Sequence, residues 1–518
     1  MDILGNDEAN SNRQIKKGAI ASYIGVVFTI ITGIVYTPWM IAQIGKENYG
    51  LYTLSLSIIS LFLFDFGLSD AVTKFSSKIV YSKDKSQMQN LTNLFFRLYS
   101  FVMILIFIAL FVMYFFIPQI YLELSVEEAN LFQSLYIIVA TFSVLSLPFI
   151  PLNGILKSYE KFSAIKVIDL AQKFISLALI TLALLLDYGI YSLVMINAIV
   201  GILSILVRYY FFTKITKLKF SISRRSVNVD LKDILRFSGW NGVVSISQRL
   251  VFTITPSILG IMSGSVSIAI FGLAASIEGY FYTFASSLNG LFLPKITRLY
   301  NLDGNKSHSR ITELMIKVGR IQIMIIMLLF IGFVFLGNDF IELWVGIGFD
   351  KVYISSIFLI IPSIFYLPQQ IAQTSIIAAD KIKDQSLVYI LMALINLGLA
   401  FYFSSFLGAV GAAIAIMISY TIRNIGMNYI YKVKLNLNIS KFFIDVFVKL
   451  IPTVIIVSLF GYVISRTFAM NTWTLLLMKT VGISTIYAIC IWLLYMNKFE
   501  KILLISTIKF VLSGGKEK

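Results

Sequence analysis

Runs of about 20 apolar residues, separated by short charged stretches, recur along this 518-residue sequence and constrain it more than any other feature. Such a run crosses the roughly 30 Å hydrocarbon core as a helix, which satisfies every backbone polar group within the segment. Fourteen are found, beginning near Gly18, Tyr49, Leu98, Leu131, Val167, Ile190, Phe237, Ile268, Val318, Val352, Leu387, Ala409, Phe442 and Thr474. The expected fold is an all-α membrane protein. Composition agrees, since 58% of residues are hydrophobic and 13% charged, against roughly a quarter charged in soluble chains. Polar residues 2–17 precede a first run without a small-residue cleavage pattern, which reads as a retained helix and not a signal peptide.

The net charge of +17 would suggest a nucleic-acid partner in a soluble chain. Its distribution says otherwise. With the N-terminus inside, the cytoplasmic loops hold Lys74, Lys78, Lys83 and Lys85, then Lys157, Lys161 and Lys166, then a cluster from Lys214 to Arg236, and further lysines and arginines beyond. The opposite side holds only Lys46, Lys351 and Arg466. This asymmetry places both termini in the cytoplasm, and anionic membrane lipid is a sufficient partner for the charge. No nucleic-acid partner is expected.

Cys490 is alone and cannot form an internal disulfide, and His308 alone cannot build a His-rich metal site. No GxxxxGK[ST] phosphate loop occurs, and the longest polar connection, 213–236, is too short for a nucleotide-binding domain. No cofactor is expected. In the tail KFEKILLISTIK, from Lys498 to Lys509, the side chains Phe499, Ile502, Leu503 and the following Phe510 are spaced for one helical face flanked by lysines. This fits an amphipathic helix on the inner leaflet.

The sequence repeats itself at an offset of 219 to 220 residues. Leu54, Ser57 and Ile58 match Leu273, Ser276 and Ile277, Gly189 matches Gly408, and Pro148 matches Pro368. The expected organisation is an N-terminal lobe of six helices (18–213), a cytoplasmic linker (214–236) and a second lobe of six (237–431). Two further helices follow (442–496), with cytoplasmic tails at 1–17 and 497–518. Parallel repeats of this kind are transporter architecture, with substrate sites at the repeat interface.

Ionisable residues inside spans are functional candidates because they are costly there. Arg249 lies about 18 Å into the seventh span and Glu278 about 15 Å into the eighth. Two readings stand: an ion pair that fixes neighbouring helices, or a guanidinium fork that binds a phosphate or acidic sugar. Lys173 follows Asp169 by four residues and reads as a local helical ion pair. Arg97, Lys449 and Lys479 lie near span ends and read as snorkelling. Arg423 is deeper, beside Asn424. Gln248, Asn241, Asn153, Gln369, Gln370 and Gln373 offer neutral hydrogen-bonding groups for sugar hydroxyls or for other helices. Tyr280, Phe281, Tyr282 and Phe284 are available to stack on sugar rings or to pack.

The strings NRQIKKGAIASYIG, IGKENYGLYTLSLSI and LFLFDFGLSDAVTKF, between Asn12 and Phe75, resemble the opening of lipid-linked oligosaccharide flippases of the O-antigen and capsule type. These belong to the multidrug, oligosaccharidyl-lipid and polysaccharide (MOP) exporter superfamily. Gly45, Tyr49, Gly50 and Tyr52 carry the resemblance at the first turn, and Asp65, Gly67 and Leu68 carry it at the end of the second span. The resemblance implies a MATE-like pair of six-helix lobes with a cationic central cavity. It also implies translocation of a polyprenyl-diphosphate-linked oligosaccharide across the bacterial inner membrane for surface polysaccharide such as lipopolysaccharide O-antigen.

One alternative is a multidrug or cation antiporter of the same superfamily, which usually carries a deep acid in its first helices; the first span here has none. A major-facilitator transporter lacks support, since its basic signature between helices two and three is absent from DFGLSDAVTK. A polysaccharide polymerase requires catalytic groups on sizeable outer loops, and those here are short, with Glu123, Glu127 and Glu128 reading as a solvated turn. The residues leave open the glycan and any coupling ion.

Overall fold

The structure is a computed structural model that describes residues 25, 27–62, 68–82, 84–159, 161–218, 220, 231–286, 296, 299, 307–379, 381–467 and 472–512. Helices account for its regular structure, and no strand occurs among the described residues. In chain order they begin with α1 (Val27–Ile44), α2 (Lys46–Phe62), α3 (Leu68–Ser82), α4 (Lys85–Ile120), α5 (Val126–Ser146) and α6 (Pro151–Ser158). Next come α7 (Phe162–Leu185), α8 (Gly189–Thr216), α9 (Leu231–Met262), α10 (Gly264–Ser286), α11 (Ser307–Val345), α12 (Asp350–Tyr366) and α13 (Gln370–Ala378). The last are α14 (Ile382–Leu407), α15 (Ala409–Val433), α16 (Ile439–Val446), α17 (Ile451–Thr467), α18 (Trp473–Cys490) and α19 (Lys498–Leu512).

Thirteen helical stretches among the described residues are long and apolar enough to cross a membrane. Each coincides with one of the apolar runs. The fourteenth run, from Tyr49, is the 17-residue α2. Large apolar side chains such as Phe111, Leu206 and Leu459 stand exposed along these helices. Exposure on this scale would be a liability in water and is what a lipid-facing surface requires.

The repeat is written into the backbone. Left-handed φ values occur at Gly45 and Gly264, at Gly189 and Gly408, and at Lys217 and Asn436, each pair 219 residues apart. The fourth and tenth spans both break at a short 3₁₀ turn, Leu147–Phe149 and Leu367–Gln369, whose prolines, Pro148 and Pro368, are 220 apart. A proline has no N–H for the α-helical ladder, so each span loses a bond where it bends. Gly45 and Gly264 turn the chain between helices at a φ that a side chain rarely adopts.

By proximity the chain divides into two compact units, the first made of residues 1–276 and 382–423 and the second of 277–381 and 424–518. In the first unit, α9 packs on α14 and α2, and α8 packs on α7 and α5. Pro118 deprives the Tyr114 carbonyl of its helical donor, and Gln133 Nε2 supplies one at 3.2 Å. One end of this unit is tied by a capping box, in which Ser125 N donates to Glu128 Oε2 at 2.8 Å and Glu128 N to Ser125 Oγ at 3.2 Å. Ser265 Oγ donates to the other oxygen of Glu128. Glu128 is therefore a structural clip, whereas the sequence suggested a solvated turn. In the second unit, the long α11 packs against α12, α16, α17 and α18.

The motif residues at the start of α2 find structural explanations. Tyr49 is buried, and a Cβ at Gly50 would lie 2.0 Å from the Ser265 carbonyl oxygen. Gly50 thus permits backbone-to-backbone contact between α2 and the start of α10. Gly50→Ala is expected to destabilise the protein by about 1–3 kcal/mol through overpacking, read as a lowered Tm of the detergent-purified protein. Asp65 and Gly67 lie outside the described residues.

Candidate functional site

The first unit holds a partly open polar cavity of about 300 Å³. Its walls come from five helices and one turn: Phe142 and Ser146 of α5, Phe149 of the 3₁₀ turn, Asn153 of α6, Gln172 of α7, Gly201, Ser204 and Arg208 of α8, and Arg249 of α9. The break in the fourth span brings Asn153 here, since the proline-marked turn redirects the chain into α6. Gly201 makes room for a neighbour, because a Cβ there would meet the Phe142 ring at 2.5 Å.

Two arginines line this space. Arg208 Nη2 pairs with Asp169 Oδ1 at 2.5 Å, so its charge is offset. Its Nε is buried without a hydrogen-bond partner, and so is Asn153 Oδ1. Two of the lining residues thus each carry one polar atom that is closed to solvent and unsatisfied within the protein, a costly arrangement. Arg249 is exposed, and it also lines a second cavity of about 220 Å³ with Ser60, Leu61, Phe62, Ile106, Ile246 and Leu250. A polar cavity and a mostly apolar one thus meet at one side chain.

Other sequence candidates lie elsewhere. Lys173 does not pair with Asp169; its Nζ donates to Thr29 Oγ1 of α1 at 2.8 Å, beside the stacked Phe28 and Phe174 rings. Asp169 is taken by Arg208, whose guanidinium reaches across from α8. Arg423 is buried, donates to the Tyr389 hydroxyl and lies 4.7 Å from the centre of that ring, and Gln248 Nε2 reaches the same hydroxyl at 3.5 Å. This is a packed polar cluster outside the lining of the Arg208–Arg249 cavity.

In the second unit, Glu278 is buried and accepts from Ser363 Oγ at 3.0 Å. Gln369 is buried in the 3₁₀ turn with Nε2 unpartnered, and Gln373, one turn on in α13, is half-buried. Gln373 is the repeat counterpart of Asn153, 220 residues later. Lys479 does not snorkel: it is buried and donates to Asp339 Oδ2 at 3.1 Å. Of the aromatic run, Phe281 is buried and Tyr282 exposed, while the side chains of Phe284 and Asn241 lie outside the described residues.

The sequence missed Arg208 and Asp169 as cavity partners, along with Gln172, Ser146 and Ser204. Arg208 had one signal available, its position inside an apolar run whose other cations come later, at Lys214 and Lys217.

No curated protein matches the chain. Solved structures similar to it include the lipid II flippase MurJ in an inward closed conformation, with 16% identity, 91% of this chain and 97% of that one covered, and a TM-score of 0.69. An inward-facing multidrug resistance MATE transporter of the MOP superfamily has 13% identity, covers 78% and 98%, and scores 0.62. A MOP superfamily transporter from Pyrococcus furiosus has 15% identity, covers 82% and 95%, and scores 0.55. At these identities the likeness is one of fold. The sequence itself matches the family described as "Polysaccharide biosynthesis protein" over residues 15–300, more than half of the chain. This all-α, multi-pass membrane protein with a MATE-like fold belongs to that family.

Proposed function

We propose that the protein moves a polyprenyl-diphosphate-linked oligosaccharide from the cytoplasmic to the outer leaflet of the bacterial inner membrane, by alternating access, for surface polysaccharide biosynthesis. The observation that carries this reading is the cavity where Arg249 and Arg208 stand with Asn153, Gln172, Ser146 and Ser204. Guanidinium forks suit diphosphate oxygens, and amides and hydroxyls suit sugar hydroxyls. The mostly apolar pocket on the other side of Arg249 suits the first part of a lipid chain. About 300 Å³ is at the small end of ligand sites, so it accommodates part of a headgroup and not a whole oligosaccharide. The skew of Lys and Arg supports cytoplasmic termini.

An exposed arginine beside a second one favours anionic over cationic cargo, which weighs against a multidrug cation antiporter. The test is a leaflet-specific assay in proteoliposomes holding a defined polyprenyl-diphosphate glycan. Protein-dependent exposure of the glycan to an external lectin or hydrolase, with no longer sugar product, is the expected result. Exposure no faster than in protein-free liposomes sinks the proposal, and a lengthened glycan points to a polymerase.

A further inference from the structure

The family's transport reading leaves the C-terminal helix unused, yet its first turn is held by a strongly buried ion pair in the second unit. Arg320 on α11 is 6% exposed and Glu500 on α19 is 4% exposed. Arg320 Nε meets Glu500 Oε1 at 2.5 Å and Nη2 meets Oε2 at 2.9 Å. The same guanidinium donates to the Asp445 carbonyl at 2.7 Å and the Tyr495 carbonyl at 2.6 Å, and lies 4.0 Å from the centre of the Tyr495 ring. Asn497 closes the turn: its N–H donates to Glu500 Oε2 and its Oδ1 accepts from Glu500 N, both at 2.9 Å. Four segments, α11, α16, the π-helical turn Ile491–Tyr495 and α19, therefore converge on one arginine.

On both sides of Glu500 in α19, side chains stand exposed. Phe499 is 55% exposed and Ile502 is 66% exposed, with Leu504 and Ile505 also exposed. Lysines stand among these side chains. Lys498 is exposed, Lys501 Nζ lies 5.4 Å from the Trp492 ring centre, and Lys317 Nζ lies 5.8 Å from the Phe499 ring centre. Apolar side chains bordered by lysines and a tryptophan have the make-up of an element lying in a membrane interface, where the apolar groups enter the acyl boundary and the ammonium groups meet phosphate. The surplus of positive charge selects an anionic leaflet.

We propose that α19 binds the headgroups of anionic lipids, and that the Arg320–Glu500 clamp couples this surface contact to α11. A helix already fixed at its first turn loses less freedom on binding than a free tail does. The contact is also passed to α11, the helix around which the second unit is packed. This inference stands apart from the identity of the transported lipid.

The test uses the full-length protein in nanodiscs of phosphatidylcholine alone, or of phosphatidylcholine with one part in three phosphatidylglycerol, with hydrogen exchange followed over 498–512. Exchange is expected to slow by about tenfold or more in the anionic discs, since each lysine at such a surface favours the bound state by roughly fivefold. The triple variant Lys317→Gln, Lys498→Gln, Lys501→Gln is expected to lose most of that difference while exchange in α12 and α14 stays as before. Phe499→Ser with Ile502→Ser is expected to speed exchange of α19 in both lipids. Equal exchange of the unmodified protein in the two discs, or full lipid dependence retained by the lysine variant, overturns the proposal.

Discussion

Arg249→Ala, at matched protein density in proteoliposomes, is expected to slow translocation of a diphosphate-linked glycan by roughly ten- to a hundredfold. Hydrogen bonds to charged groups contribute about 1.5–3 kcal/mol, and this arginine is the exposed cation where the polar and mostly apolar cavities meet. Arg249→Lys is expected to fall between the two, since it keeps the charge and loses the planar fork. Arg208→Ala is expected to cost less, because Asp169 already offsets the Arg208 charge. The sign reverses at the partner: Asp169→Asn frees the Arg208 guanidinium and is expected to increase capture of an anionic headgroup. Unchanged transport by Arg249→Ala, with the variant inserted and folded, removes this residue from the mechanism. Equal losses at Arg208 and Asp169 would make their pair a structural brace and not a tuned anion site.

The difference between those two arginines also shows what the sequence makes legible. Arg249 interrupts an otherwise apolar run, and its cost in lipid marks it without reference to any partner. Arg208 also lies inside an apolar run, but the cytoplasmic basic cluster that begins at Lys214 draws attention away from it. Its role depends on Asp169, 39 residues away, a contact that no local spacing encodes. The i, i+4 rule instead points Asp169 at Lys173, and tertiary packing overrides it by giving Lys173 to Thr29.

The spans and the repeat were accessible for the opposite reason. Hydropathy is a property of each segment alone, and Pro148, Pro368, Gly189 and Gly408 fix backbone geometry at their own positions. Gly45 and Gly50 divide along the same line. A turn glycine announces itself by position, whereas the need for Gly50 appears only when the Ser265 carbonyl is brought against it.

Arg320 is the extreme case, since its partners Asp445, Tyr495 and Glu500 lie 125, 175 and 180 residues away. Breaking its pair with Glu500 is expected to cost about 3–5 kcal/mol, because removing one member strands the other's charge in a poorly solvated site. Where that loss appears follows from the topology. Glu500 sits in the first turn of α19, a helix that follows the last span and is not itself one, so the protein relieves the stranded charge by releasing α19 and leaves the spans folded. Glu500→Gln in neutral-lipid discs is therefore expected to accelerate hydrogen exchange over 498–512 by a hundredfold or more, with little change over 323–331 in α11. A hundredfold corresponds to about 2.7 kcal/mol, below the cost of breaking the pair. Replacing both members, Arg320→Met with Glu500→Leu, is expected to recover much of the protection, because no charge is then stranded. Recovery stays incomplete, since the Asp445 and Tyr495 carbonyls lose their donor. If Glu500→Gln leaves exchange of α19 unchanged, the buried pair does not hold the helix in place. If the double variant is as poorly protected as either single one, the carbonyl bonds to Arg320 carry the docking and the carboxylate is secondary.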